Sequence, residues 1–292
     1  MRDFSQDHRW LSINTATVRR QRGVDWPLLE IIDACAKRGI RAISPWRDQV
    51  AAAGLQPTAQ ALRAHGIELS GFCRGGMFTY TDAAARQAVR DDNRRALDEA
   101  CTLDAPCLVL VVGGLPGALA GKAAHRDIAA AREQVIEGIA ALLEDARARK
   151  MPLAIEPLHP MYAADRACIN TLEQALDVCD ALDPSRSGAL GVALDVYHVW
   201  WDPKLAPQIE RAGRERLLAF HVCDWLTPTT DLLNDRGMMG DGVIELRKIR
   251  GLVEAQGFAG YSEVEIFSAN NWWLRDGGEV LETCIRRHRS CV

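Results

Sequence analysis

The sequence predicts an α/β fold, a (β/α)8 TIM barrel built as one domain over residues 1–292. Three observations carry this. Eight short apolar runs have the length of buried strands, segments of helical period lie between them, and no linker or shift of composition divides the chain. The strands are predicted at 11–17, 40–46, 67–73, 107–112, 153–156, 189–195, 217–223 and 261–267.

The intervening helices justify themselves in turn. Residues 25–39 place Leu28, Ile31, Ile32 and Cys35 on one stripe, with Asp25 as N-cap and Gly39 as the stop. Residues 171–180 place Leu172, Ala175, Leu176 and Cys179 on one stripe, and Thr171 with Gln174 makes a capping box. Further stripes run through Ile128, Val135, Ile139 and Leu142, and through Ile249, Leu252 and Val253 before Gly257. An open doubly wound sheet is the rival architecture. Its glycine fingerprint is missing, because GGLPGALAG at 113–121 lacks the G-x-G-x-x-G spacing and carries Pro116; it reads as a loop.

Composition narrows the function. A chain 48% hydrophobic and 25% charged can build a large core. Lys and Arg number 35 against 39 Asp and Glu, a net charge of −4, which argues against a nucleic-acid scaffold and for a small-molecule partner. The first ten residues contain no apolar signal core, and 106–121 is too short and too broken to span a bilayer. Nine cysteines without a C-x-x-C pair fit reduced thiols and a cytoplasmic protein. Neither membrane nor nucleic acid is expected as a partner, and a homo-oligomer is left open.

Barrel enzymes carry their chemistry at the C-terminal ends of strands. Four successive strands end in groups able to bind metal or move a proton: Glu156, Asp195, His221, and the pair Glu263 and Glu265. Strand parity puts them on one face. If Asp195 points inward, so do Ala193 and Gly191, while Val192, Leu194, Leu153, Ile155, Val264 and Ile266 point to the helices. Three carboxylates and one imidazole make a hard, oxygen-rich site for one divalent cation, Mn²⁺ first, with Mg²⁺, Co²⁺ and Zn²⁺ also suited. A lone acidic residue at a strand end is ordinarily a salt bridge or cap; the repetition on four strands argues for ligands. Glu263 is the extra inward carboxylate, and a buried Arg, Lys or His is predicted beside it.

The motifs IEPLHP, ALDVYH, FHVCD, RGMMGDG and EVEIF, in that order over most of the chain, resemble the xylose isomerase-like barrels, the sugar phosphate isomerase/epimerase superfamily. The resemblance implies Glu156, Asp195, His221 and Glu265 as metal ligands. It pairs Asp195 with His198 as D-x-x-H, whose histidine contacts substrate, and makes Arg236 the substrate-binding arginine. The segment between His221 and Arg236 is longer than in the short epimerase pattern.

A cation chelated by a ketone oxygen and its neighbouring hydroxyl stabilises the enediolate left when the α-proton departs. Glu156 and Glu265 come from different sides, so one takes the proton and the other returns it. The leading reading is therefore a metal-dependent isomerase or epimerase of a sugar or keto-sugar. The same intermediate supports a lyase, a dehydratase or 3-keto-glycoside deglycosidase, acting on a keto-sugar or keto-inositol. A non-catalytic sugar-binding barrel is the non-enzyme reading, and the endonuclease branch of the superfamily, rich in zinc and histidine, sits poorly with 7 His and a negative charge. Around the centre, His159, Arg74 and Trp46 are candidate substrate contacts, with Asn14 and Asp224 weaker. The alternatives are loop bracing for His159, a rim salt bridge for Arg74 and packing for Trp46, and of the pairs Trp200-Trp201 and Trp272-Trp273 one is expected to wall the pocket.

Overall fold

A computed structural model describes residues 2–292. Its central sheet contains nine parallel strands: β1 (Leu11–Asn14), β2 (Ala42–Ser44), β3 (Glu68–Leu69), β4 (Phe72–Gly76), β5 (Leu108–Val111), β6 (Leu153–Ile155), β7 (Leu190–Asp195), β8 (Leu217–Val222) and β9 (Ser262–Val264). They pair in the order β3-β2-β1-β9-β8-β7-β6-β5-β4. The two ends of that order are consecutive pieces of one segment, so the sheet closes as a TIM barrel with the predicted third strand in two parts. Ser70 N–H donates to the Ile43 carbonyl at 3.0 Å and Cys73 N–H to the Pro45 carbonyl at 3.1 Å across the seam. The interruption falls where Ser70 turns its hydroxyl inward onto Glu263 Oε2, at 2.7 Å.

The helices on the outside follow the predicted stripes. They are α1 (Leu28–Ala36), α2 (Arg47–Ala53), α3 (Leu55–His65), α4 (Ala83–Thr102), α5 (Ile128–Arg149), α6 (Leu172–Leu182), the short α7 (Val196–Val199), α8 (Leu205–Arg216), α9 (Leu246–Ala255) and α10 (Gly277–Cys291). Thr171 caps α6 through the Gln174 N–H at 3.2 Å, but Gln174 returns its side chain to the Asn170 N–H at 2.7 Å, one residue earlier than a capping box requires. Asp25 is not the cap of α1. Pro27 stands at that position, and Asp25 is drawn into a two-stranded ribbon by Arg20, 2.9 Å away. No described helix is long and apolar enough to cross a membrane.

Strand parity divides the interior as expected. Leu153, Ile155, Val192, Leu194, Val264 and Ile266 join the apolar shell between sheet and helices, whereas Cys73, Val109, Ala154, Ala193 and Ala219 form a separate small cluster inside the barrel. Gly191 has no room for a side chain, since a Cβ there would come within 2.4 Å of the Arg216 carbonyl oxygen and 2.8 Å of Leu218 Cγ. Above that floor lie polar groups. The register sets His221 level with both Asp195 and Glu263, and Glu265 follows two residues beyond.

One buried ion pair clamps α6 and α8 under the strand that carries Asp195. Arg216, fully buried, reaches Asp183 Oδ2 at 2.9 Å, the Leu190 carbonyl at 2.7 Å and the Cys179 carbonyl at 3.2 Å. Removing the guanidinium takes from an equally buried carboxylate its nearest cation, leaving it Arg147 at 3.2 Å and the Ser185 and Ser187 donors. Arg216→Leu is expected to lower stability by ~3–5 kcal/mol, read as a shift of the urea midpoint; a loss under ~1 kcal/mol would show that the pair is dispensable.

Candidate active site

The mouth of the barrel is assembled from the ends of β6 to β9. Glu156 follows β6, its N–H bound to the Leu110 carbonyl at 3.1 Å. Asp195 ends β7 and caps α7, accepting the Tyr197 N–H on Oδ1 at 2.8 Å and leaving Oδ2 to face the site. His221 on β8 stands between acids. Its Nδ1 is 2.9 Å from Glu156 Oε1 and 3.8 Å from Glu265 Oε2, and its Nε2 is 3.4 Å from Glu263 Oε1. Glu156, Asp195, His221 and Glu265 are all buried and offer ligand atoms that lie within 4.8 Å of one another. The predicted partner of Glu263 is thus His221, reinforced by Asn14 Nδ2 at 2.8 Å and the Ser70 hydroxyl.

Electrostatics show what this cluster lacks. Four buried carboxylates, counting Glu263, face only Arg236 and His221 as positive groups. Arg236 Nη1 lies 2.9 Å from Asp195 Oδ2 and 3.1 Å from Glu265 Oε2. Burial pushes the Asp195 carboxyl up, but Arg236, His198 and His221 outweigh it and hold it at about 2. Burial drives Glu265 up to about 8, with Glu156 and Asp195 adding repulsion that Arg236 and His221 only partly offset. Burial pulls the His221 imidazole down, yet Glu263, Glu156 and Glu265 together raise it well above its usual range. Burial and mutual repulsion thus favour a proton on the Glu265 carboxyl, and the surrounding acids favour one on the His221 imidazole. One imidazole nitrogen and three carboxylates fit a hard divalent ion, with Nδ1, now 2.9 Å from Glu156, the nitrogen that would ligate after losing its proton, and Nε2 on the side of Glu263.

A cavity of about 290 Å³ opens above the cluster. Glu156 and Glu265 line it; Asp195 and His221, completely buried, do not. His198, Arg236, Arg74 and Trp46 are also in its walls. His198 Nδ1 accepts the His159 N–H at 3.2 Å, so in the neutral ring the proton sits on Nε2, which is 3.2 Å from Arg236 Nη2 and 3.5 Å from Asp195 Oδ2. Burial lowers its pKa to about 3 and keeps it neutral. Trp46, Phe267 and Trp273 form an aromatic wall, with ring centroids 5.4 and 6.0 Å apart.

Two expected substrate contacts stand elsewhere. His159 stacks on Trp225 at 4.9 Å, with Trp201 edge-on, and its Nδ1 caps a short 3-10 turn at Met161; it braces the loop after β6. Asn14 has both ends of its amide engaged, Nδ2 on Glu263 and Oδ1 on Trp46 Nε1 at 2.7 Å, so it supports the site from below. Asp224 accepts the N–H groups of Trp225, Ile244 and Gly240 and thereby folds the RGMMGDG segment. Sequence reasoning missed Arg166, Tyr162 and Phe267, which also line the cavity. Phe267 ends the EVEIF motif; Arg166 and Tyr162 sit in an irregular loop whose sequence gave no sign of them.

The comparisons with known proteins agree with this fold. A family model described as xylose isomerase-like TIM barrel matches residues 32–286. Among solved structures, protein SMc04130 from Sinorhizobium meliloti 1021 is 59% identical, with a TM-score of 0.90 over 97% of this chain and 98% of that one. The IolI protein with a bound zinc atom is 18% identical, with a TM-score of 0.77 over 94% of each chain. D-psicose 3-epimerase with D-tagatose, from Clostridium cellulolyticum H10, is 16% identical, with a TM-score of 0.71 over 96% of this chain and 99% of that one. The last two likenesses are of fold. No curated protein sequence matches the chain.

Two predictions follow from the protonated acids. Because Glu265 holds its proton until about pH 8, cation binding must displace it. Mn²⁺ affinity measured by calorimetry is expected to fall as the pH drops below about 8, by ~10-fold per pH unit for each displaced proton, and so by up to ~100-fold per unit where Glu265 and His221 both give one up. Affinity independent of pH between 6 and 8 would contradict the assignment. Glu263→Gln, which keeps the shape but removes the charge facing His221 Nε2, is expected to weaken Mn²⁺ binding ~10–100-fold; unchanged affinity would remove Glu263 from the supporting shell.

Proposed function

The chain belongs to the xylose isomerase-like TIM barrel family, and from that premise we propose that it is a divalent-metal-dependent isomerase or epimerase of a sugar or keto-sugar, working through an enediolate. The observation that carries the reading is the division of the four candidate ligands. Asp195 and His221 are sealed beneath the cavity, while Glu156 and Glu265 reach it from opposite ends of the four-strand arc.

A divalent cation in this site would supply Lewis acidity toward a ketone oxygen and its neighbouring hydroxyl, acidifying the C–H bond between them. The remaining work belongs to the protein. A sugar seated over the mouth has one glutamate on each side of its reacting carbon, so one carboxylate takes the α-proton and the other returns one. Return on the opposite face inverts the carbon; return to the neighbouring carbon exchanges aldose for ketose. His198 Nε2–H and the Arg236 guanidinium are placed to hold substrate oxygens. Arg236 is itself fixed by the Tyr197 ring, 4.4 Å from its centre, and by Phe267 at 5.2 Å. The aromatic wall offers a face for the apolar side of a sugar ring.

The test is proton exchange. Mn²⁺-loaded protein incubated in D₂O with a panel of keto-sugars is expected to place deuterium on the carbon next to the carbonyl, read by NMR. Glu156→Gln and Glu265→Gln should each slow that exchange by about 10²–10⁴-fold while leaving the fold intact. Full activity in either variant would overturn the assigned roles. Release of water or an aglycone alongside exchange would move the reaction to the lyase class, and tight sugar binding without exchange would leave a binding protein.

A further inference from the structure

Four arginines line the cavity: Arg19, Arg74, Arg166 and Arg236. Two already have close carboxylates, Arg236 in Asp195 and Glu265 and Arg19 in Asp48. Among the described residues the other two have no acceptor within hydrogen-bond distance: Arg74 has no hydrogen-bonding or ion-pair partner, and Arg166 has only its chain neighbour Asp165, 4.0 Å away, and the face of Tyr162 at 5.9 Å.

Both are held in place by local structure. The β4–β5 ladder pairs Cys73 with Val109 and Gly75 with Leu110, so Arg74 is the extra residue of a bulge, a device that re-aims a side chain beside a site. Asn93 locks the strand just beyond, accepting the Gly76 N–H at 2.7 Å and donating to the Gly76 carbonyl at 2.8 Å. Arg166 lies in the loop after β6, which is stitched to the loop after β5 through Gly113 N–H to the Arg166 carbonyl and Cys168 N–H to the Gly113 carbonyl, each 2.9 Å. Burial, with Arg166 as the foremost like charge, lowers the Arg74 pKa. Arg74 is half-buried without an acceptor, and the more exposed Arg166 faces the same cavity without one, so two like charges share a wall that offers neither a partner. An anion between them relieves both.

We propose that Arg74 and Arg166 form an anion subsite, and that the substrate is a keto-sugar carrying a carboxylate or phosphate away from its reacting carbons. This rests on the proposed function for the reaction but not for the binding. The shared chemistry is a multi-oxygen anion gripped by forked N–H donors.

The experiment uses Mn²⁺-loaded full-length protein and a set of epimeric 2-ketohexoses, each offered in neutral form, as the 6-phosphate and as the 6-carboxylate, with binding read by calorimetry. In wild type at least one anionic form should bind ~10-fold or more tighter than its neutral parent, and the two arms separate phosphate from carboxylate. The preference should collapse in Arg74→Gln and in Arg166→Gln, with partial retention in Arg74→Lys. Neutral sugars binding as well as both anions, neither anion binding, or an undiminished preference in Arg166→Gln would overturn it; should Arg74→Gln fail to fold, Arg166→Gln decides alone. Deuterium exchange on neutral sugars without anion preference sinks the subsite and leaves the proposed reaction standing. Anion preference without exchange by any sugar does the reverse.

Discussion

The constraint on which the structure turns is the burial of four carboxylates in one small volume at the mouth of the barrel. Isolated, each would be strongly unfavourable there, and together they repel. Their neighbours are arranged around that problem. Asp195 gives one oxygen to the start of α7 and the other to Arg236. Glu263 is satisfied by Asn14 and Ser70, and the seam of the barrel breaks where Ser70 supplies that hydroxyl. His221 touches three acids at once. What these groups leave unbalanced is negative charge beneath a cavity, which a bound cation would offset.

Around this centre the loops are tied to the site rather than merely placed over it. Tyr162 and Tyr197 both donate their hydroxyls to the Leu232 carbonyl, which holds the segment between His221 and Arg236 against the loop after β6. Tyr197 also supports Arg236 through its ring. The same residue thus couples the position of a loop to the position of a guanidinium that touches two candidate ligands. The greater length of that segment, visible in the sequence as a departure from the short epimerase pattern, has this structural use.

The sequence made the barrel readable because burial on both faces leaves a strong signal. Strand parity alone separates Ala193 and Gly191 from Val192 and Leu194, and the repetition of acids at strand ends picks out the four side chains that the structure brings together. Residues whose partners are remote were harder. Asp25 has the composition of a cap, yet a ribbon with Arg20 claims it. His159 follows a ligand so closely that it suggested substrate contact, but an indole 66 residues along the chain, Trp225, takes its face. Arg166 was unreadable: a single arginine in an irregular loop carries no period, and only the pairing through Gly113 brings it over the cavity. The ends of regular elements were encoded locally, and the outer wall of the site was not.

The same reasoning explains why an asparagine, and not an acid, supports the centre from below. Asn14 donates to Glu263 at 2.8 Å while accepting from the Trp46 indole at 2.7 Å and from the Ala16 N–H at 3.1 Å. An amide of this length both donates and accepts in this way at neutral charge. An aspartate could keep the Trp46 and Ala16 contacts but would set a fifth carboxylate against Glu263. It would then have to hold a proton or loosen Glu263 from His221. The neutral amide links the aromatic wall that would meet a sugar to the imidazole that would meet a cation, through Trp46, Asn14, Glu263 and His221, without adding to the charge that the centre already carries.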